Sequence, residues 1–269
     1  MFDVLAIDGV EDQIVKCLAS SRKYKAIGTY KELSGYDLEI PVIFRSMAQR
    51  KTVAECKSTG RDFFYIDTGY IGNLWKRKDW HRVVKNDVQH TSPRYDLPGD
   101  RFDAITKGQE FVKFQKWRKN GSNILIVTPS GKPCSFYGID RDNWLNQTIE
   151  ELKKHTDRNI IVRDKGLRKD RIGRKSIYNQ FSDDDIYAVV TYNSIAATEA
   201  IGYGIPAFTL APNAADAFCL KDLSQIENPL YEDGEKVKKW QHWLGYCQYT
   251  PQEMWNGLAF SLIEEYDLK

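Results

Sequence analysis

The residues best suited to binding a phosphate lie between positions 190 and 208, in the stretch VTYNSIAATEAIGYGIPAF. An apolar run ending at Thr191 predicts a strand, and Asn193 and Ser194 follow it where a helix is expected to begin. Backbone N–H groups and the positive end of the helix dipole bind phosphate at such a position, and the Ser194 hydroxyl can also cap the helix. Glu199 lies on the next turn of the same helix. The spacing predicts that Asn193 and Ser194 hold a phosphate and that Glu199 reaches past it.

This stretch resembles a motif of a known family. Glu199-Ala200 followed by Gly204-x-Pro206 is similar to the E-A-x-x-x-G-x-P element in the C-terminal domain of GT-B glycosyltransferases. The Asn193-Ser194 opening is most similar to the capsular-polysaccharide-type branch of that family. The resemblance implies that the acidic residue holds the ribose of a nucleotide-sugar donor and that the helix start holds its diphosphate. It also implies a GT-B fold that needs no metal, with a UDP-sugar as the expected co-substrate and no separate cofactor.

A second loop, TPSGK, follows another predicted strand at the edge where parallel sheets bind ligands. Ser130 offers a hydroxyl, Gly131 a backbone amide that a ligand can approach closely, and Lys132 a positive charge. The loop lacks the spacing of a Walker A motif. Arg163 and Lys165 end the next strand and are placed to neutralise the leaving diphosphate. Solvated charges after a strand are the alternative interpretation of these two cations.

Two carboxylates at the ends of predicted strands are candidates for the catalytic base. Asp67 precedes Thr68-Gly69 and is the first choice, and Asp8, which precedes Gly9, is the second. A base must lie within hydrogen-bonding reach of the acceptor hydroxyl, and a strand's carboxyl end beside a glycine offers that access. His90 is a third candidate. Residues 63–90 are also similar to a family of viral and bacterial proteins described as glycosyltransferases.

Clusters of basic residues bear on the acceptor. Residues 41–120 contain 17 Lys and Arg against 9 Asp and Glu, which predicts a surface that meets an anion. The segment 113–119 interleaves cations with two aromatic residues, and the segment 165–175 places Lys and Arg around glycines. Phosphate backbones are bound by such residues, so they favour duplex DNA as the acceptor. The candidate nucleic-acid contacts are Lys116, Arg118, Lys119, Arg168, Lys169 and Arg171.

These observations favour an enzyme that transfers a hexose or pentose to a hydroxymethylated pyrimidine in phage duplex DNA. The first alternative is transfer to a capsule or lipopolysaccharide glycan. A non-catalytic nucleotide- or glycan-binding module of the same fold and a sugar-nucleotide epimerase are the other two. The sequence pI of about 8.1 is lower than the value above 9 that is usual for a DNA-binding domain. The sequence names neither the sugar nor the acceptor, the stereochemical outcome or the oligomeric state.

The apolar runs predict two α/β alternations separated by an irregular crossover at residues 86–120. The fold class is therefore α/β, with two Rossmann-like domains facing a cleft. The first domain, residues 1–115, is expected to bind the acceptor, and the second, residues 116–269, the donor. A C-terminal helical segment, residues 237–266, is expected to cross back to the first domain with Trp240, Trp243 and Trp255 buried.

Composition narrows the class of protein. The chain has 269 residues, of which 42% are hydrophobic and 28% charged, as in ordinary globular proteins. No stretch approaches the roughly 20 apolar residues of a membrane span, and the N-terminus does not resemble a secretory signal. The five cysteines are scattered and form no C-x-x-C pair, which indicates reduced thiols and argues against a structural zinc. We therefore expect a cytoplasmic protein, located in the host cytoplasm if it is viral.

Overall fold

The computed structural model describes residues 2–73, 79–164 and 176–268. The strands are β1 (Val4–Ile7), β2 (Tyr24–Ile27), β3 (Val42–Arg45), β4 (Phe63–Thr68), β5 (His81–Lys85), β6 (Asn123–Val127), β7 (Asn159–Arg163), β8 (Ile186–Thr191), β9 (Ala207–Thr209), β10 (Cys219–Leu220) and β11 (Gln248–Tyr249). The helices are α1 (Gln13–Ala19), α2 (Arg50–Thr59), α3 (Asp100–Ile105), α4 (Gly131–Tyr137), α5 (Arg141–Leu152), α6 (Ile177–Asp183), α7 (Ala196–Tyr203), α8 (Gly234–Tyr246), α9 (Pro251–Trp255) and α10 (Leu258–Tyr266).

The chain divides into two compact units. The first comprises Met1–His90 and Leu244–Lys269, and the second comprises Thr91–Trp243. The first unit ends before the boundary predicted at residue 115. It also takes up the end of the chain, which the sequence analysis places in the second domain. The division therefore falls within α8.

The first unit contains a six-stranded sheet in the order β11-β5-β4-β3-β1-β2. Strands β1 to β4 run parallel, as predicted from their apolar runs. β5 is antiparallel to β4, and β11 is antiparallel to β5, so the sheet is mixed and not purely parallel. Every residue of β1 is buried, which is usual for a strand covered on both faces. Helix α1 begins after Asp12, whose side chain caps the helix by accepting a hydrogen bond from the Ile14 N–H at 2.9 Å.

The second unit contains a five-stranded parallel sheet in the order β10-β9-β8-β6-β7. The four apolar residues of β6 and all six residues of β8 are buried. Helix α5 and the turn at Leu223–Gln225 cover one face of the sheet. The burial agrees with the prediction of buried strands from the continuous apolar runs at β6 and β8. The core cluster on this face consists of Ile124, Ile126, Trp144, Leu152, Tyr187, Ala188, Val190, Phe208, Leu223 and Ile226.

The predicted crossover contains a helix that the sequence analysis missed. Helix α3 lies inside residues 86–120 and buries Phe102 and Ile105. With six residues it is shorter than two turns, so its apolar period is too brief to stand out from a polar segment. None of the helices in the described ranges combines the length and the apolar character that crossing a membrane requires.

The predicted C-terminal segment, residues 237–266, is divided between the units, and its part from Leu244 onward belongs to the first unit. Strand β11 pairs with β5, and the buried Gln248 side chain accepts hydrogen bonds from the Tyr70 and Ile71 N–H groups at 2.7 and 3.1 Å. The prediction for the three tryptophans is only partly right. Trp240 and Trp243 belong to the second unit and are fully buried. Trp255, the last residue of α9, is 50% exposed.

Candidate functional site

Three neighbouring strands of the second sheet end level with one another. Val127 at the end of β6 pairs with Arg163 of β7 on one side and with Thr191 of β8 on the other. The Thr191 hydroxyl donates a hydrogen bond to the Val127 carbonyl at 2.9 Å. Arg163 closes β7, while Ser130 and Ser194 follow β6 and β8. The structure therefore brings these sequence-predicted donor residues to one edge of one sheet, where α/β proteins bind ligands.

The loop between β8 and α7 buries the two residues predicted to hold phosphate. Asn193 and Ser194 are 5% and 6% exposed. Helix α7 begins at Ala196, later than predicted, because the Ser194 Oγ accepts a hydrogen bond from the Ala196 N–H at 3.3 Å and closes a turn ahead of the helix. The Ser194 N–H in turn donates to the Thr191 hydroxyl at 3.3 Å. The bond from the Ala196 N–H uses a lone pair of the serine oxygen and not its hydrogen, which can be donated to a ligand oxygen.

Glu199 lies half-buried in the first turn of α7. Burial, together with the nearby Glu199 carboxylate, raises the pKa of Tyr178 on α6 well above its ordinary value. The Tyr178 ring packs against Phe181 and Tyr203, with centroid distances of 5.9 and 6.1 Å. The half-buried carboxylate therefore lies near the aromatic cluster that Tyr178 forms with Phe181 and Tyr203.

Gly204 of the family-like motif has a structural reason to be glycine. It ends α7 with φ at +88°, a conformation that side chains other than glycine rarely adopt. A Cβ atom at this position would lie 2.1 Å from the Lys116 carbonyl oxygen. The Gly204 carbonyl also accepts a hydrogen bond from the Arg118 N–H at 2.7 Å. The residue thus allows the chain that leads into the second sheet to pack against the end of α7.

The loop after β6 has an exposed face and a fixed side. Gly131 and Lys132 are exposed, and Ser130 precedes α4 without capping it through its side chain. On the fixed side, the Thr128 hydroxyl donates to Asp164 Oδ1 at 2.9 Å, and Arg141 Nη1 lies 3.2 Å from the same oxygen. The sequence analysis missed this group, because no motif connects residues so far apart in the chain.

Arg163 is held at the same edge by a second side chain that the sequence analysis missed. Its Nη1 donates a hydrogen bond to the Gln180 Oε1 of α6 at 2.7 Å. Lys165, its predicted companion, lies outside the described residues. The fixed position of Arg163 suits a cation that contacts a bound phosphate, since less side-chain freedom is lost on binding.

In the first unit, Asp67 is engaged in a buried network. Its Oδ2 accepts a hydrogen bond from the Tyr65 hydroxyl at 2.6 Å and lies 3.5 Å from Arg82 Nη2, and its Oδ1 accepts from the Thr68 N–H at 2.8 Å. Burial by itself would raise the pKa of this carboxyl. The Arg82 guanidinium, the Tyr65 hydroxyl and the Thr68 amide outweigh burial and hold the pKa below its ordinary value. A carboxylate stabilised in this way is a weak base.

His90 belongs to the same network and is inaccessible. Its side chain is fully buried, and its Nδ1 lies 3.1 Å from the Tyr70 hydroxyl. Burial, followed by the Arg82 charge, lowers the pKa of His90 to about 3. The imidazole is therefore neutral at physiological pH and cannot reach an acceptor, which removes it as a candidate base.

Asp8 has the opposite character. It is exposed after β1, in the left-handed region with φ at +57°, and it accepts a hydrogen bond from Gln49 Nε2 at 3.3 Å. Partial burial raises its pKa, and the charges of Glu11 and Asp12 raise it further. Ser46, which follows β3 at the same edge of the sheet, also has a positive φ of +80°. Backbone strain of this kind is found where the surrounding fold holds functional residues in place.

Three of the residues predicted to bind DNA, Lys116, Arg118 and Lys119, lie within the described structure. The Arg118 Nη1 donates to the Phe181 carbonyl at 2.6 Å, and Lys119 Nζ lies 5.5 Å from the centre of the Tyr231 ring. Lys116 is exposed. The indole of Trp117, an aromatic residue of the same segment, donates to the Glu232 carbonyl at 2.7 Å and packs against Tyr231. The remaining candidates lie outside the described residues: Arg168, Lys169 and Arg171.

Among residues 2–73, 79–164 and 176–268, no group of three or more His, Cys, Asp or Glu side chains is arranged to hold a metal ion.

Comparison with known proteins identifies a related fold. The chain resembles the solved structure of the Thermosulfurimonas dismutans KpsC β-Kdo 2,7-transferase with a TM-score of 0.56 and 11% sequence identity, over 98% of this chain and 99% of that chain. It also aligns with the β-Kdo 2,4-transferase of the same organism's KpsC at a TM-score of 0.49 and 9% identity, over 90% of each chain. No protein-family model and no curated protein matches the sequence. The chain has the two-sheet α/β fold of a known glycosyltransferase. The predicted α/β fold with two sheets is therefore confirmed at the level of fold class.

Proposed function

We propose that the protein transfers a sugar from a nucleotide sugar to a hydroxyl group of a glycan. One observation supports this most strongly. The stretch that resembles the donor motif of GT-B glycosyltransferases lies at the ligand-binding edge of the second sheet, in a fold that matches a Kdo transferase along almost its whole length.

The second unit is proposed to bind the donor. The Ser194 hydroxyl and the backbone of Ser130 and Gly131 would contact phosphate oxygens, with Arg163 and Lys132 supplying positive charge. Glu199 would accept hydrogen bonds from the ribose hydroxyls. Asn193, buried beside Ser194, would shape the floor of this site.

The first unit is proposed to supply the catalytic base. The surroundings of the two candidates favour Asp8 over Asp67. Asp8 is exposed and has a raised pKa, whereas Asp67 is tied to Arg82 and Tyr65 with a lowered pKa. A base whose pKa is closer to the working pH transfers protons more effectively, provided that the acceptor can reach it. We therefore assign the base to Asp8 and a structural role to Asp67.

A glycan acceptor is favoured over DNA. The solved structure that the chain resembles is that of a Kdo transferase, and the aromatic and basic residues 117–119 that had suggested DNA are engaged within the second unit. The transfer assay that identifies the acceptor also distinguishes an enzyme from a non-catalytic binding module.

The test measures nucleotide binding first and transfer second. UDP, GDP, ADP, dTDP and CMP are titrated into the protein by calorimetry, and the nucleotide that binds identifies the donors to be assayed, with a nucleotide-activated Kdo included. Transfer to capsule-type oligosaccharides and to hydroxymethylated duplex DNA is then followed by nucleotide release. We expect release with an oligosaccharide and none with DNA.

Two variants locate the site. Ser194→Ala should weaken the bound nucleotide, whereas Ser122→Ala should not, because Ser122 lies beside the amino end of β6 and donates to Asp185 at 2.7 Å. Equal affinity of both variants would show that the donor site is misplaced. Binding without transfer to any acceptor would favour the non-catalytic module.

A further inference from the structure

A buried amide links the two segments that carry the proposed donor residues. Asn213 lies in the loop after β9 and is 1% exposed. Its Nδ2 donates a hydrogen bond to the Ser194 carbonyl at 3.0 Å. Its Oδ1 accepts from the Thr198 hydroxyl at 3.4 Å, and Thr198 precedes Glu199 in the first turn of α7. One side chain therefore contacts Ser194, two residues before α7, and Thr198, the neighbour of the Glu199 that we propose to bind the ribose.

The bond to the Ser194 carbonyl completes the fixation of that residue's backbone. The Ser194 N–H is held by the Thr191 hydroxyl at 3.3 Å, and its carbonyl also accepts from the Ala197 N–H at 3.2 Å. With the peptide groups on both sides of Ser194 fixed, the direction of its Cα–Cβ bond is fixed as well. The bond that Oγ accepts from the Ala196 N–H restrains the hydroxyl further, which limits the entropy that it would lose on binding a ligand.

Asn213 is itself rigidly supported. Its Oδ1 accepts a second hydrogen bond from the Ala215 N–H at 3.0 Å, and its own N–H donates to Asp216 Oδ2 at 3.1 Å. The other oxygen of Asp216 accepts from the Thr209 hydroxyl at the end of β9 at 2.8 Å. The amide is thus anchored to the sheet and cannot follow a displaced Ser194.

We propose that Asn213 is a positioning residue for the donor: it sets the orientation of Ser194 and the first turn of α7 by bonding to both at once. This inference rests on the proposed function of the second unit. The role needs one donor and one acceptor on a short side chain, which asparagine provides and aspartate does not. An ionised aspartate would place a carboxylate oxygen against the Ser194 carbonyl and push the loop away.

The experiment compares two Asn→Asp variants of the same unit. Asn213→Asp keeps the shape of the side chain, so the core remains filled. Asn123→Asp is the matched control, because Asn123 Nδ2 also donates to a backbone carbonyl, that of Asp184 at 2.6 Å, but at the amino end of β6. Calorimetric affinities for UDP and for CMP are measured for both variants, well below the melting temperature of each.

We expect Asn213→Asp to weaken the tighter of the two nucleotides at least tenfold, and Asn123→Asp to change it less than twofold. A merely structural asparagine would lower the melting temperature in both variants and leave the affinity of the folded protein unchanged. That result would overturn the inference.

The two failures can be separated. If neither Ser194→Ala nor Glu199→Ala weakens the nucleotide, the proposed donor site is wrong. If both weaken it and Asn213→Asp does not, only the positioning role is wrong. Should Asn213→Asp fail to fold, Thr198→Val takes its place, since it removes the hydroxyl that bonds to Asn213 without changing the volume. About a threefold loss of affinity is expected for Thr198→Val, and an unchanged affinity would overturn the role.

Discussion

Replacement of Asp67 by asparagine tests whether this carboxylate is structural. Asparagine can keep the hydrogen bond from the Thr68 N–H. It removes the negative charge of Oδ2, which lies 3.5 Å from Arg82 Nη2 and accepts a hydrogen bond from the Tyr65 hydroxyl at 2.6 Å. The Arg82 side chain is only 5% exposed. The variant would therefore leave a buried guanidinium beside an uncharged amide.

The magnitude follows from the burial of the pair. Removing one partner of a buried ion pair costs about 3–5 kcal/mol. Asp67 retains some exposure, and Arg82 Nη1 keeps its bond to the Thr68 carbonyl at 2.8 Å, so we expect the lower end, about 3 kcal/mol. Asp87→Asn is the matched control. Its partner Lys57 lies 3.4 Å away with both side chains about half exposed, and such surface pairs contribute less than about 1 kcal/mol.

Urea unfolding monitored by circular dichroism measures both variants, with equal denaturant slopes as the condition for comparing them. A cost for Asp67→Asn no larger than that of Asp87→Asn would refute the structural role. So would a variant of normal stability that has lost all transfer, since that pattern belongs to a catalytic base.

The pH dependence gives a second check on Asp67. Because its folded pKa is lowered, its contribution is fully present above the ordinary carboxyl pKa of about 3.9 and is lost as the pH falls through the lower folded value. The difference in unfolding free energy between the unaltered protein and Asp67→Asn should therefore narrow below about pH 4. A difference that stays constant down to about pH 2 would contradict the assignment.

The other predictions concern the proposed site. Asp8→Asn should abolish transfer without lowering the melting temperature, and substantial residual transfer would exclude Asp8 as the base. In the unaltered protein, the acid limb of the pH–rate profile should lie above the ordinary aspartate pKa, because the folded pKa of Asp8 is raised. Ser194→Ala and Glu199→Ala should each cost about 1.5–3 kcal/mol of nucleotide binding by calorimetry, the usual value of a hydrogen bond to a charged group, and unchanged affinity in both would be incompatible with the site. Gly204→Ala should destabilise the fold by more than about 2 kcal/mol, whereas Gly138→Ala, at another left-handed helix end with open space around it, should cost less; similar unfolding midpoints would contradict the packing argument.

The sequence pointed to part of the candidate site because its residues are close together in the chain. The strand that ends at Thr191, the polar pair that follows and Glu199 occupy one continuous stretch, so an apolar run and a helix start located the motif. The same reasoning recovered β6 and β8, whose long apolar runs are typical of strands in a parallel sheet covered on both faces.

Other features depend on contacts between residues far apart in the chain. Asp8 and Asp67 look alike in sequence, because each lies at the end of a predicted strand and close to a glycine. Only the tertiary structure places Arg82 and Tyr65 around Asp67 and leaves Asp8 exposed, and this surrounding charge and burial set the two pKa values in opposite directions. No local pattern carries that information.

Pairing of strands was decided in the same way. The antiparallel direction of β5 and its pairing with β11, a strand of two residues near the end of the chain, come from the folded sheet. Asn213 likewise belongs to no motif, and its proposed role is visible only from its hydrogen bonds to Ser194 and Thr198 in the folded chain. The sequence alone indicated which long apolar runs form buried strands and placed the polar pair that follows β8 close to a helix start. The tertiary structure decided which polar groups those segments bring together, because burial and hydrogen bonding act through space and not along the chain.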